Sequence, residues 1–357
     1  MRIINRYLFN AVAGSTALVL LVLVSLGGFI QFVSQLDDLG QGSYDMLTAI
    51  QYVLLKLPRL AHDMLPVSVL LGALLGLGAL ASGSELISLQ AAGVSFRRMA
   101  ASVALTGTAI AITGGAIGEF VSPELDLYAR QMRAVAKSGD ADITGTSAWL
   151  REGDKIFNVR PATDGIDYAG VYVFRLAEKD AEGGAALAGI GRADPFETAA
   201  NTWDFQNYSE SVLDGTGVNI SNEINSAQVN KLSDLLSITA VRDSSLTIVE
   251  LYHYVRYLQS NGLDAERYEI AFWGRVATLA GIVVMCMLAV PFVFGPLRDT
   301  GAGARMIVGV LIGVGYFLLS RTLADSAAVF DLSPILVAWA PTILLLAGTL
   351  FALRRMS

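Results

Sequence analysis

The stretch Trp273-Gly-Arg-Val-Ala-Thr-Leu-Ala-Gly-Ile-Val-Val-Met-Cys-Met-Leu-Ala-Val-Pro-Phe-Val-Phe294 contains a single charged residue, Arg275. A bilayer core of about 30 Å needs about 20 apolar residues in a helix, and this stretch supplies them. Working outward, five further runs meet or approach that length: Ala11–Val33, Leu65–Ala81, Met99–Gly118, Met306–Ser320 and Ile335–Leu353. The runs 65–81 and 306–320 are short and are expected to extend by a few residues. The first run is longer than a signal-peptide core and has no convincing cleavage site, so it reads as a retained helix. Between the third and fourth runs lies a long polar stretch, Pro123–Glu269, while the other connections are short. The expected fold is an α-helical membrane protein with six transmembrane helices in a 3+3 order and an inserted antiparallel β-domain of jelly-roll-like kind. The expected divisions are 1–122, 123–269 and 270–357.

Composition agrees. The 357 residues are 54% hydrophobic and 16% charged, against about 25% charged in soluble domains. A net charge of −7 would repel a phosphate backbone, which argues against DNA or RNA as partners. One cysteine, Cys286, permits neither an intrachain disulfide nor a cysteine metal site. His62 and His253 are far apart in sequence, so a histidine metal site has little material.

Charge asymmetry orients the chain. With the N-terminus in the cytoplasm, the cytoplasmic segments carry Arg2, Arg6, Arg97, Arg98, Arg298, Arg305, Arg354 and Arg355, against Glu85 and Asp299. The short outer connections hold Lys56 and Arg59 among Asp37, Asp38, Asp45, Asp63, Asp325 and Asp331. This bias puts both termini inside and the large polar segment outside.

Within that segment Lys155–Arg160, Gly170–Leu176 and Thr202–Tyr208 alternate with period two, as half-buried antiparallel strands do. Ala162–Gly165 and Asp214–Gly217 read as turns between them. Such a domain serves either as a spacer or as a docking surface whose exposed edge accepts another strand. Ser244 or Ser245 is expected to cap a following helix, with Leu251, Tyr254, Val255 and Leu258 as its apolar stripe and Asn261-Gly262 as its stop. A second helical stretch from Asp264 runs into the fourth span. Glu124–Lys137 reads as a helical continuation of the third.

Catalytic patterns are absent from the sequence. It has no Gly-x-x-x-x-Gly-Lys-[Ser/Thr] phosphate loop, Gly-x-Ser-x-Gly elbow or His-Glu-x-x-His, so no enzymatic role is expected. His62 reads as an interfacial histidine and His253 as a face residue of its helix. The more informative stretch is Ser84-Glu-Leu-Ile-Ser-Leu-Gln-Ala-Ala-Gly93, followed by Val94-Ser-Phe-Arg-Arg98. It reads as a short cytoplasmic helix with Glu85 at its N-terminus, where the helix dipole favours a carboxylate. It is either a capped turn or a helix that plugs into another protein. Arg130, Arg133 and Lys137 follow span three, Lys56 and Arg59 precede span two, Arg275 opens span four and Arg321 ends span five. Charges at such depths snorkel to headgroups or mark function.

Five stretches in order carry a resemblance. They are Gly40–Asp45, Leu71–Gly78, Ser84–Gly93, Tyr254–Gly262 and Phe294–Arg298. Together they resemble the LptF/LptG permeases of the lipopolysaccharide export ABC transporter, nearer LptG, over essentially the whole chain. The resemblance implies a non-catalytic permease subunit in the inner membrane of a Gram-negative bacterium. It implies a LptF-like paralogue, a LptB-like ATPase dimer that uses ATP and magnesium, a single-span LptC-like protein and a periplasmic LptA-like bridge. This chain itself would bind no cofactor. The paired spans would take lipopolysaccharide from the membrane and pass it to the bridge. Carried over, Ser84–Gly93 is the coupling helix, and Glu85, Leu86, Leu89, Gln90 and Arg98 are its candidate ATPase contacts. Candidate lipid contacts are Phe29, Ile30, Phe32 and Val33 on span one, with Lys56, Arg59, Arg130, Arg133 and Arg321 for phosphates. Gly72, Gly76 and Gly78 would let helices pack closely, and Gly27-Gly28 would pack or bend span one. One departure stands out: Gln31, Asp37 and Asp38 occupy the outer end of span one, where family members often carry lysines. Other readings are a membrane scaffold or sensor with a ligand-binding β-domain, and a secondary transporter, which would need broken helices and a repeat between halves.

Overall fold

The computed structural model describes residues 2–138, 148–161, 168–176, 187–193, 202–203, 209–214, 217–221, 229–230, 246–294, 301–330 and 332–356. The helices are α1 (Arg2–Val33), α2 (Met46–Ser82), α3 (Glu85–Ala91), α4 (Phe96–Ala116), α5 (Ser122–Ser138), α6 (Ile248–Ser260), α7 (Glu266–Phe294), α8 (Ala302–Phe330) and α9 (Pro334–Met356). A π-helical turn, Ile117–Val121, joins α4 to α5 without a break. Six of these helical stretches are long and apolar enough to cross a membrane. The chain forms two compact units, one of 1–39, 49–129 and 266–357, the other of 40–48 and 130–265.

The first unit is helical. Leu70, Leu74 and Leu77 of α2, Met99 and Val103 of α4, and Ile282, Met285, Cys286 and Val290 of α7 share one buried core. Small residues set the helix spacing. Gly72 and Gly76 of α2 lie against the backbone of α1 at Thr16 and Ala11. Gly107 of α4 receives Cys286 of α7, whose Sγ lies 3.4 Å from the Val103 carbonyl oxygen. Gly27 and Gly28 face Leu60 and Leu57 in an α1 that runs unbroken, so they pack against α2. Polar links also join the helices. Ser102 Oγ donates to Asn5 Oδ1 at 2.9 Å, and the Tyr316 and Thr342 hydroxyls meet at 3.1 Å between α8 and α9.

One expectation needs correcting here. Lys56, Arg59 and Asp63 do not lie in an outer connection; they lie on α2, which begins at Met46 and keeps Pro58 and Pro66 in its interior. The charges that suggested a loop are paired. Lys56 Nζ lies 3.6 Å from Asp126 and Arg59 Nε 3.4 Å from Asp63 one turn on. A helix that satisfies its charges in this way can carry them through an apolar stretch.

The second unit holds β1 (Ala148–Glu152), β2 (Lys155–Pro161), β3 (Tyr168–Leu176), β4 (Leu187–Ala193), β5 (Thr202–Trp203), β6 (Ser209–Asp214), β7 (Gly217–Ser221) and β8 (Val229–Asn230). Six strands form one antiparallel sheet in the order β1-β2-β3-β4-β6-β7, while β5 leaves it to pair with β8. Gly153, at φ +60°, makes the two-residue turn that puts Glu152 opposite Lys155. Phe157, Val171 and Val173 are buried, and Trp149 stacks on Phe174 at 5.6 Å. Arg175 reaches Glu210 at 2.7 Å, past Gly189, where a Cβ would stand 2.5 Å from Glu210 Oε1. The turn expected at 162–165 and the end of the strand expected at 202–208 lie outside the described residues.

Helix α6 starts differently from the expectation. Ser244 and Ser245 lie outside the described residues, and the cap is Thr247. Its Oγ1 accepts from the Glu250 amide at 3.2 Å, and Glu250 Oε2 accepts from the Thr247 amide at 2.7 Å, a reciprocal capping box. Leu251 and Leu258 are its buried stripe, and Gly262 at φ +62° follows its end. Its Tyr257 hydroxyl accepts from the Arg151 amide at 2.7 Å and donates to the Arg151 carbonyl at 2.8 Å. Asn261 Oδ1 takes the Gly153 amide at 3.2 Å. Helix α6 thus occupies the outer edge of β1 at Arg151, where a further strand would otherwise pair.

Candidate functional site

Helix α3 is short, and the turns around it need unusual backbone. Ser84 precedes it at φ +59° and Gly93 follows it at φ +88°. The left-handed conformation is open to glycine and costly for most other residues. The Val94 amide bonds back to the Leu89 carbonyl at 3.1 Å, closing the C-terminal turn. Leu86 is 1% exposed and belongs to the core of the first unit, with Leu89 packed beside it. These two candidate contacts anchor α3 to its own chain. The outward face is Glu85, Ile87, Ser88 and Gln90, with Arg97 and Arg98 exposed on the first turn of α4. Glu85 accepts a hydrogen bond from the Tyr7 hydroxyl of α1. The result is a small, rigidly seated surface with one carboxylate, an apolar side chain and an amide. Its chemistry suits docking. Among the described residues no group of histidine, cysteine, aspartate and glutamate could hold a metal ion.

The candidate lipid contacts lie apart from α3 along the chain. Phe29, Ile30 and Val33 are exposed on α1 and Phe32 is half-buried. Lys56, Arg59 and Arg321 are engaged by acids. Lys56 meets Asp126, which is 3% exposed, and also lies over the Tyr52 ring at 5.1 Å. Arg321 sits 3.8 Å from Asp325, and Arg275 sits 3.8 Å from Glu119 of the π-helical turn. Arg130 and Arg133 lie on α5. His62 Nδ1 lies 3.2 Å from the Gly114 carbonyl oxygen, with its ring against Gly118. It borders a cavity of about 210 Å³ lined by Ala13, Ala17, Leu20, Leu65 and Ile110.

Sequence reasoning missed Tyr7, Asp126 and Glu119 as partners. Glu119 had a usable signal, an acid inside the apolar run Ile117–Val121. Tyr7 had none, because its partner is 78 residues away.

Four of the five stretches that carried the resemblance have a structural reason in this fold. Gly40 and Gly42 adopt positive φ beside the buried Tyr44. Gly72 and Gly76 seat α1, Gly93 ends α3, and Gly262 follows α6. Residues 295–298 of the fifth lie outside the described residues. The family model for the lipopolysaccharide export system permease LptF/LptG matches residues 6–355. The chain belongs to the LptF/LptG family. Among similar curated proteins, the lipopolysaccharide export system permease protein LptG of Escherichia coli (strain K12) is 32% identical over 358 residues, covering 99% of both chains. The protein of the same name from Haemophilus influenzae is 29% identical over 354 residues, covering 99% of this chain and 98% of its own. As a LptF/LptG permease, the chain is a multi-pass membrane subunit, with six apolar helices among the described residues.

Proposed function

We propose that this chain is the LptG-type membrane subunit of an ATP-driven exporter that withdraws lipopolysaccharide from the inner membrane and passes it to a periplasmic bridge. The observation that carries this is full-length agreement with LptG relatives, together with a seated helix α3 that presents Glu85, Ile87 and Gln90 outward. The lysine and arginine bias favours cytoplasmic termini and a periplasmic segment 123–269. In that orientation α3 faces the cytoplasm, where a LptB-like ATPase dimer would dock and use ATP and magnesium. The chain has no phosphate-binding loop of its own.

Size supports a paired arrangement with a LptF-like paralogue. Sites for drug-sized ligands occupy about 300–1,000 Å³, and a lipid with several acyl chains is larger. One cavity among α1, α2 and α4 is about 210 Å³, too small for such a lipid. In this reading the lipid path is built with a second chain, against exposed apolar surface such as Phe29, Ile30 and Val33. A LptC-like single-span protein and a LptA-like bridge complete the reading. The test is purification of the tagged chain in mild detergent with identification of what stays bound. Recovery of a P-loop ATPase and a second six-span chain is expected. Recovery of this chain alone across several detergents would overturn the proposal in favour of a scaffold.

A further inference from the structure

We propose that Arg305 is a positioning residue through which the α3 turn and helix α8 move together. The inference rests on the reading of α3 as the ATPase-docking helix.

Arg305 stands in the first turn of α8, where the helix dipole disfavours a cation. It is nevertheless only 3% exposed. Its side chain reaches the C-terminal turn of α2, whose partial negative charge suits it. There Nη2 donates to Ser82 Oγ at 3.0 Å, and Ser82 Oγ in turn donates to the Gly78 carbonyl at 2.9 Å. The guanidinium lies on Gly78, where a Cβ would overlap Nη1. The next two contacts of α8 on α2 have another character. Gly309 and Gly313, four and eight residues on, form a bare floor under Leu71, Leu74 and Val67. Val308 and Ile312 pack into the core beside that floor, and the polar hook at this end is Arg305.

Ser82 is the last residue of α2, and Glu85 opens α3. The turn is therefore held at Glu85 by Tyr7 of α1 and at Ser82 by Arg305 of α8. Leu86 fixes α3 in the core. A push on α3 is thereby delivered to α8 through Arg305 at the end of α2, beside the glycine surface of Gly309 and Gly313.

The experiment uses the complete transporter reconstituted in vesicles, with ATP hydrolysis and lipid transfer measured together. Arg305→Gln is expected to leave hydrolysis within about twofold while lipid moved per ATP falls about tenfold, the size of an ordinary coupling effect. Arg305→Lys, which keeps the cation, is expected to restore a substantial part of that ratio. Gly78→Ala keeps the arginine but displaces it, and is expected to behave like Arg305→Gln. An unchanged ratio in Arg305→Gln, or hydrolysis and export falling in parallel in all three variants, would overturn the proposal. The docking reading is tested separately by Ile87→Arg and Gln90→Arg. Retention of the ATPase by both variants would refute it, whatever Arg305 does.

Discussion

Substitution of Gly72 by alanine probes a close helix crossing in the first unit. A Cβ at Gly72 would stand 2.4 Å from the Thr16 Cα, where ordinary contacts begin near 3.4 Å. Backbone cannot rotate away as a side chain can, so α1 must back off from α2 by about 1.0 Å, the difference between those two distances. Overpacking of this kind costs about 1–3 kcal/mol. One turn along, a Cβ at Gly76 would stand 2.5 Å from the Ala11 carbonyl oxygen. The same displacement relieves both clashes. The double variant Gly72→Ala/Gly76→Ala is therefore expected to cost well under the sum of the singles, with a coupling of about 1 kcal/mol. The assay is equilibrium unfolding of the purified chain in mixed micelles, with all four members of the cycle measured at one lipid ratio. Strict additivity would mean that α1 does not move as a unit. Single variants within about 0.5 kcal/mol of the parent, as surface changes are, would refute the crossing itself.

Three further outcomes are expected. Asp126→Ala leaves the Lys56 ammonium without its buried partner. Removing one partner of a buried pair costs about 3–5 kcal/mol, and the low end applies because Lys56 keeps 19% side-chain exposure; the double change Lys56→Met/Asp126→Leu should recover most of the loss in the same unfolding assay. Tyr257→Phe removes both hydrogen bonds to Arg151, a loss of about 1–3 kcal/mol, and amide exchange at Arg151 should rise without change in the centre of the sheet. Glu85→Arg should leave the chain inserted and folded while transport driven by ATP is lost; transport at the parental rate would remove Glu85 from the coupling surface.

What the sequence disclosed followed from terms that do not depend on partners. Transferring Trp273–Phe294 into hydrocarbon is favourable whatever packs beside it, so the spans were legible. Alternation in Lys155–Arg160 and Gly170–Leu176 reports a strand with one buried face, so these strands were legible too. Boundaries fared worse where a long-range partner decides the outcome. Lys56, Arg59 and Pro58 look like a connection until Asp126, seventy residues on, is seen to take the ammonium. Thr247 was passed over as a cap because serines precede it, and only the reciprocal bonds with Glu250 identify it. On α3 the cap-like start and Gly93 marked a helix but not its inward side. Leu86 and Gln90 both read as candidate contacts, and only the core shared with Leu77 and Met99 separates an anchor from a surface.

The distribution of charge bears on how a phosphorylated lipid would be held. With Gln31, Asp37 and Asp38 at the end of α1, the task falls to cations elsewhere, and Lys56, Arg59 and Arg321 each lie 3.4–3.8 Å from a carboxylate of the same chain. A phosphate at any of these must compete with that carboxylate or gather around the neutralised pair. Competition is cheap where both partners are exposed, since such pairs contribute about 0–1 kcal/mol, and Arg321 and Asp325 are exposed. It is costly at Lys56, because releasing the ammonium would strand the buried Asp126. Under the proposed function the exposed pair Arg321–Asp325 is where a lipid phosphate would exchange with carboxylate, while Lys56–Asp126 would keep its structural role. Removing the competitor with Asp325→Asn should then tighten binding of a phosphorylated lipid relative to its dephosphorylated counterpart. Equal affinities for the two lipids in both the parent and the variant would show that phosphate is not what this chain recognises.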